Sequence, residues 1–423
     1  MKKYGESLEH YKPVTFNSNI MWNKVMAVWV VTNDVLGQLR KRSAIGSIVY
    51  ALRESFFDDY CYEIKGEGKI VFFYGRYNWR KDHFKSFITL ANSLKNVKMV
   101  FANRTKRRIH PIRGLFFIFL HFVWFFQACK CGCGIIEACN VLRPLTLCKK
   151  IDRMILELLN ENPGIFVTYY DASPDESYAV QIVKGNGIKT ATLQHGSFAQ
   201  KSIKKTISDT AFEYTESVSD YYLAWNKYTK DEWEKIGLDP KKVIVVGIPR
   251  YAQPITVEKR IKGDGCKVFG VMLNNGSFDT HNRALIKIAN DIAKALKMKY
   301  VIRYHPALPD GAYSNLIDKD LFLSISDNSL SIQEYSNTVD FTIISSSSVF
   351  IDLVFLGKPV YRLKVTEEDT YSTIQMNAFS NLDEFSKLLN KPGDMNELFD
   401  YLCTTRDVAS SYQNILNRLL GVS

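Results

Sequence analysis

Short apolar runs alternate with amphipathic stretches along most of the chain, the pattern of buried parallel strands joined by helices. In the first half the runs are Lys69–Gly75, Val97–Ala102, Gly164–Tyr170, Gly187–Leu193, Tyr221–Trp225 and Val243–Gly247. Helices are expected over Lys81–Leu94, over Ile135–Leu159 with an interruption at Pro144, and at Tyr178–Val183 and Lys230–Ile236. Tyr251–Gly265, charged and holding Pro254, Gly263 and Gly265, breaks the pattern and reads as a linker. Beyond it the alternation restarts. Strands are expected at Lys267–Leu273, Tyr300–Arg303, Leu321–Ser324, Phe341–Ile344 and Val360–Leu363. Leu285, Ile288, Ile292 and Leu296 share a helical face, and further helices are expected near Ile332–Ser336, at Val349–Leu356, at Leu382–Leu389 and within Met395–Leu420. The expected fold is α/β, with two domains facing across a cleft. Their bounds are 1–250, with a helical N-terminal part to which no role is assigned, and 266–423, joined by the linker 251–265.

Composition narrows the class. The chain has 423 residues, 46% of them hydrophobic and 23% charged, which suits a globular protein. A net charge of +11 points to an anionic partner: nucleic acid, a phosphorylated substrate or an acidic membrane surface. Nucleic acid fits poorly, because the basic residues neither form a stripe nor interleave with aromatics on strands. Cys129, Cys131 and Cys133 alternate with Lys130 and Gly132 and lack the spacing of a zinc site. Met1–Tyr11 is polar and carries no secretory signal, so a cytoplasmic location with reduced thiols is expected.

One stretch stands apart. Arg104, Lys106, Arg107, Arg108 and Arg113 lead into Leu115–Phe126, LFFIFLHFVWFF. Twelve helical residues reach about 18 Å, short of the roughly 30 Å of a bilayer core. This leaves a buried core helix or a helix lying in the headgroup region of the inner membrane face, peripheral to it.

Candidate chemistry gathers at strand ends, where open α/β sheets bind ligands. In Phe341–Val360 a strand runs into Ser345, Ser346, Ser347 and Ser348 and then a helix closed by Gly357. This places hydroxyls and unpaired backbone N–H groups where a phosphate can bind, or where they merely cap the helix. Asn275 and Gly276 form a loop of phosphate-wrapping type, and Arg303 and His305 end the next strand. On the other domain, His195 follows a strand in a turn with Gly196, and Asp175 and Glu176 follow another. A cationic, hydroxylated edge facing proton acceptors suits transfer of a group from a nucleotide donor. Asp318 and Asp320 precede a strand, away from that edge, so no metal and no cofactor is expected.

These motifs together resemble a known group. Gln194-His195-Gly196, Gly247-Ile248-Pro249-Arg250, Arg303-Tyr304-His305-Pro306, and Ser345–Ser348 with Asp352 and Leu356-Gly357-Lys358-Pro359 are similar to bacterial surface-polysaccharide transferases with two Rossmann-like domains, the GT-B type. These include CDP-glycerol glycerophosphotransferases of teichoic acid synthesis and capsule polysialyl- and Kdo-transferases with His-Pro and paired-serine motifs. The resemblance implies a glycosyltransferase with an acceptor-side first domain and a nucleotide-donor-binding second one. It would use a nucleotide-activated sugar and a glycan or lipid-linked acceptor, and would build capsule, O-antigen or a similar cell-envelope polymer. It implies that His305 and the serines hold and help expel the nucleotide phosphate, that Arg303 neutralises charge, and that Asp352 orients the serine loop or a ribose. The base is one of His195, Asp175 and Glu176. A CDP-glycerol-type polyol-phosphate transferase, a sugar-nucleotide 2-epimerase and a non-catalytic scaffold remain as alternatives.

Overall fold

The computed structural model describes residues 44–58, 61–75, 81–103, 108–130, 135–171, 173–196, 217–235, 237, 239–253, 267–309, 311–365, 371 and 373–422. Most of the expected linker, together with Arg104, Lys106, Arg107, Cys131 and Cys133, lies outside them. In the first half the order is α1 (Ala44–Phe56), β1 (Phe57–Asp58), β2 (Cys61–Lys65), β3 (Ile70–Tyr74), α2 (Lys81–Ser93), β4 (Val97–Asn103), β5 (Arg108–Ile109), α3 (Pro111–Lys130) and α4 (Ile135–Leu159). Then follow β6 (Ile165–Thr168), α5 (Pro174–Gly185), β7 (Lys189–Leu193), β8 (Tyr221–Ala224), α6 (Lys227–Lys235) and β9 (Val243–Val245).

Strand β3 is buried at every residue, as a strand apolar on both faces must be. It sits inside a seven-stranded sheet ordered β2-β4-β3-β6-β7-β8-β9, parallel except for the edge strand β2. One face of this sheet is covered by α4 and α5, through Ile151, Ile155, Tyr178 and Val183. Helix α4 runs unbroken through Pro144, where an interruption was expected. Leu142 and Leu145, on either side of the proline, are both buried in one cluster with Phe117 and Trp124, and this packing offsets the lost backbone hydrogen bond.

The second half gives β10 (Val268–Met272), α7 (Asp279–Leu296), β11 (Lys299–Arg303), β12 (Phe322–Ile325), α8 (Ile332–Asn337), β13 (Thr342–Ile344), α9 (Val349–Phe355), β14 (Val360–Leu363) and β15 (Ala378–Phe379). Its six strands form a parallel sheet ordered β12-β11-β10-β13-β14-β15. Helices α10 (Leu382–Asn390), α11 (Met395–Leu402) and α12 (Val408–Leu420) close the chain. The stretch expected as helical over Met395–Leu420 is thus two helices, parted where Thr404 takes a φ of 70°.

The last helix returns to the first sheet. Tyr412 donates its hydroxyl to the Gly247 carbonyl at 3.3 Å, Lys189 Nζ donates to the Leu419 carbonyl at 2.6 Å, and Gln413 Oε1 accepts from Lys95 N at 2.7 Å. Gly247 has a φ of 105°, and a Cβ there would come within 3.1 Å of Val408, so glycine serves both the turn and the approach. One apolar core consequently joins Phe72, Tyr74 and Trp225 of the first half to Phe350, Leu353, Leu402, Tyr412 and Leu416 of the second.

Candidate active site

Each sheet has a switch point, where neighbouring strands send their connections to opposite faces and a crevice opens beyond the strand ends. In the first sheet it lies between β3 and β6, and Glu176 spans it. Its Oε1 accepts from Gly75 N at 2.9 Å and its Oε2 from Tyr170 N at 2.6 Å. Gly75 must be small, since a Cβ there would stand 2.8 Å from Glu176 Cγ. Burial pushes the Glu176 carboxyl up to about 8, against the pull of the two N–H donors. Asp171, beside it, is also raised by burial; its Oδ2 accepts from Ser217 Oγ, Val218 N and Ser219 N and ties down the entry to β8.

In the second sheet the switch point lies between β10 and β13. Asn274 Nδ2 donates to Ser345 Oγ across it at 2.7 Å, while Asn274 N donates to Asn282 Oδ1 at 2.8 Å. Ser345 is fully buried and Ser346 nearly so. Ser347 Oγ accepts weakly from Val349 N at 3.4 Å, and exposed Ser348 precedes α9 with no side-chain cap. Asn275 Oδ1 accepts from Ser277 N at 3.0 Å and caps the turn Gly276–Phe278 that enters α7. His305 Nδ1 accepts from Ala307 N at 3.1 Å, which leaves the ring proton on Nε2. Arg303 Nη2 donates to the Leu330 carbonyl at 2.6 Å with its guanidinium over the Tyr335 ring, and burial lowers its pKa.

Between the sheets lies a cavity of about 640 Å³. From the first half its wall takes His83, Lys85 and Ser86 of α2, Tyr169, Gln194 and His195 at strand ends, and Trp225 and Arg250. From the second half it takes Ser331, Ile332 and Gln333 around the start of α8, with Ser348 and Leu356 flanking α9. Of the candidate catalytic and phosphate-binding residues named from the sequence, the structure brings His195 and Ser348 to this wall, and with them Gln194 and Arg250 of the quoted motifs. Asp175 and Glu176 are buried in the first turn of α5 and do not line it. Nor do Arg303, His305, Asn275, Gly276, Ser345, Ser346, Ser347 and Asp352.

His195 is held by its neighbours. Its ring lies 4.0 Å from that of Tyr170, centroid to centroid, and 6.2 Å from that of His83, which itself lies 5.3 Å from Tyr169. Gln194 fixes the turn: its Oε1 accepts from Trp225 N and its Nε2 donates to the Gly196 carbonyl, each at 2.7 Å. His83 has no motif around it and gave no signal in the sequence. Arg250 did, at the end of Gly247-Ile248-Pro249-Arg250, though the motif alone does not say what it grips. Its Nε donates to Asp352 Oδ1 at 2.8 Å and its guanidinium lies 5.1 Å from the Trp225 ring centre. Tyr251 donates to the same oxygen at 2.5 Å and stacks on Phe355 at 3.9 Å. Burial works against the Arg250 charge, but Asp352 and Tyr251 more than offset it and keep the guanidinium protonated.

No protein-family model matches the chain, and no curated protein matches it in sequence. Solved structures do. A protein of Listeria monocytogenes provisionally described as a UDP-N-acetylglucosamine 2-epimerase is 12% identical, with a TM-score of 0.51 over 84% of this chain and 96% of that one. The UDP-GlcNAc 2-epimerase of Methanocaldococcus jannaschii is 13% identical, with a TM-score of 0.50 over 83% and 99%. The fold is of the GT-B type. At such identities the likeness concerns architecture alone, and these neighbours are the epimerases weighed above as an alternative, not capsule transferases.

Proposed function

We propose that this chain is a nucleotide-sugar-dependent glycosyltransferase acting on a glycan or lipid-linked acceptor, with the reaction in the cavity between the two sheets. The observation that supports it is the set of acid–base groups on the cavity wall: the imidazoles His83 and His195 lie there with one carboxylate, Asp82, whose Oδ2 is 3.9 Å from His83 Nε2, while Asp171, Asp175 and Glu176 are turned into the protein. In this reading His195 takes the proton of the acceptor hydroxyl as its oxygen attacks the anomeric carbon. The bond from that carbon to the phosphate oxygen breaks, and the nucleotide leaves with the electron pair. Arg250 and Lys85, cations on the cavity wall, and the Ser348 hydroxyl, one of several donors there, would receive the departing phosphate. The nucleotide would extend along the second sheet's edge toward Asn275, Gly276, His305 and the serine turn, and the role of Asp352 becomes that of an anchor for Arg250. A polyol-phosphate donor would use the same grip, with attack at phosphorus instead.

A 2-epimerase is the second reading, favoured by the fold of the Listeria and Methanocaldococcus proteins. That chemistry exchanges the proton on C2, which calls for bases beside the sugar ring. Incubation with nucleotide sugars in heavy water separates the two. Transfer gives acceptor-dependent release of nucleotide with C2 unlabelled, whereas deuterium at C2 and a second nucleotide sugar, formed without acceptor, would establish epimerisation.

A further inference from the structure

Helix α3 is apolar on two opposite faces, and among the described residues only one is covered. Gly114, Phe117, His121 and Trp124 are buried toward α1 and α4. A Cβ on Gly114 would run into the Phe56 ring, and His121 Nε2 meets Thr146 Oγ1 at 2.8 Å. Burial pulls the His121 pKa down to about 4, so it is a neutral, packed histidine. At about 100° per residue, Ile112, Leu115, Phe116, Phe119, Phe122 and Phe126 fall within roughly a third of the circumference on the far side. All six are 58–84% exposed. Ile45 and Val49 of α1 and Ile135 of α4, in the same three-helix unit, are exposed too. Soluble proteins keep such patches small, and a large one marks a surface that is covered in use.

We infer that this face rests on an anionic lipid bilayer, with the phenylalanine rings at the level of the headgroups and glycerol backbone. Two observations select lipid over another protein. The six side chains include no hydrogen-bonding group, which suits the apolar level of a fluid lipid surface. The sequence entering the helix supplies Arg104, Lys106, Arg107, Arg108 and Arg113 in a chain of net charge +11, the complement of acidic headgroups. Among the described residues no helix is long and apolar enough to cross a membrane, and α3 has one side committed to α1 and α4, so it lies along the surface. The inference stands apart from the proposed chemistry.

Flotation of the full chain with vesicles tests it, using phosphatidylcholine alone and phosphatidylcholine mixed with phosphatidylglycerol. The parent is expected to float with the mixed vesicles, less so at high salt. Phe116→Ser, Phe119→Ser and Phe122→Ser combined should lower the bound fraction about ten-fold or more while the melting temperature holds, because all three rings already face water. Arg107→Gln with Arg108→Gln should weaken binding to the mixed vesicles. A parent that stays with neither vesicle would overturn the inference, as would a triple variant that floats like the parent. So would a dimer that the triple variant splits, since the face would then belong to a second copy.

Discussion

Arg250 and Asp352 stand 102 positions apart in sequence and meet through an Arg250 Nε to Asp352 Oδ1 hydrogen bond of 2.8 Å. Asp352 belongs to helix α9 of the second half, and Arg250 follows the last strand of the first. With Tyr251 on the same carboxylate oxygen and Trp225 beneath the guanidinium, this pair holds the two walls of the cavity in one arrangement. Asp352→Ala leaves a mostly buried guanidinium without its anion and is expected to cost about 2–3 kcal/mol in urea unfolding, as loss of hydrogen bonds to charged groups does. Arg250→Leu with Asp352→Leu should cost less than the sum of the two single changes, because no lone charge remains. Additive costs would show that the pair is not coupled.

His195→Ala is expected to lower kcat by about 10²–10⁴-fold, the usual worth of a positioned base, with the affinity for nucleotide unchanged. Equal loss of nucleotide affinity and rate would assign His195 to donor binding instead.

Glu176 gives a pH dependence of stability. Its carboxyl is raised by burial from 4.5 to about 8 in the folded chain, so the folded state holds the proton more tightly than the unfolded one. The contribution is full below about pH 4.5 and is lost as pH rises toward 8. Glu176→Gln, which keeps a neutral side chain at every pH, should flatten this part of the profile, so that the variant loses less stability than the parent between pH 5 and 8. Urea midpoints between pH 5 and 8 measure it, and an unchanged slope in the variant would place the titration elsewhere.

The sheets were legible because strands buried on both faces must be continuous apolar runs, and Ile70–Tyr74, Val268–Met272 and Thr342–Ile344 are such runs. What local patterns cannot carry is contact between distant segments. The bond from Lys95 to Gln413, 318 positions apart, brings α12 to the first sheet, and nothing near either residue announces it. Asp175 and Glu176 looked like bases because they follow a strand end; that Glu176 faces the N–H groups of Gly75 and Tyr170 is visible only in three dimensions. The serine turn shows the same limit. Four hydroxyls in a row suggest a phosphate cradle, yet Ser345 is spent on Asn274 and only Ser348 reaches the cavity. For Leu115–Phe126 the choice between core and surface helix has a divided answer, since Phe117 and Trp124 face in and Phe119 and Phe122 face out.

In the proposed function a nucleotide-activated donor binds between the sheets. The most direct measurement is the melting temperature of the full chain with UDP, CDP, GDP and CMP, each free and as its sugar or glycerol conjugate. One nucleotide should raise it and the rest should not, the gain reaching about 2.7 kcal/mol at 100 times the dissociation constant. His195→Ala should keep that shift, while activity is lost. No rise with any nucleotide would contradict donor binding in the cavity and leave a protein that keeps the fold without the chemistry.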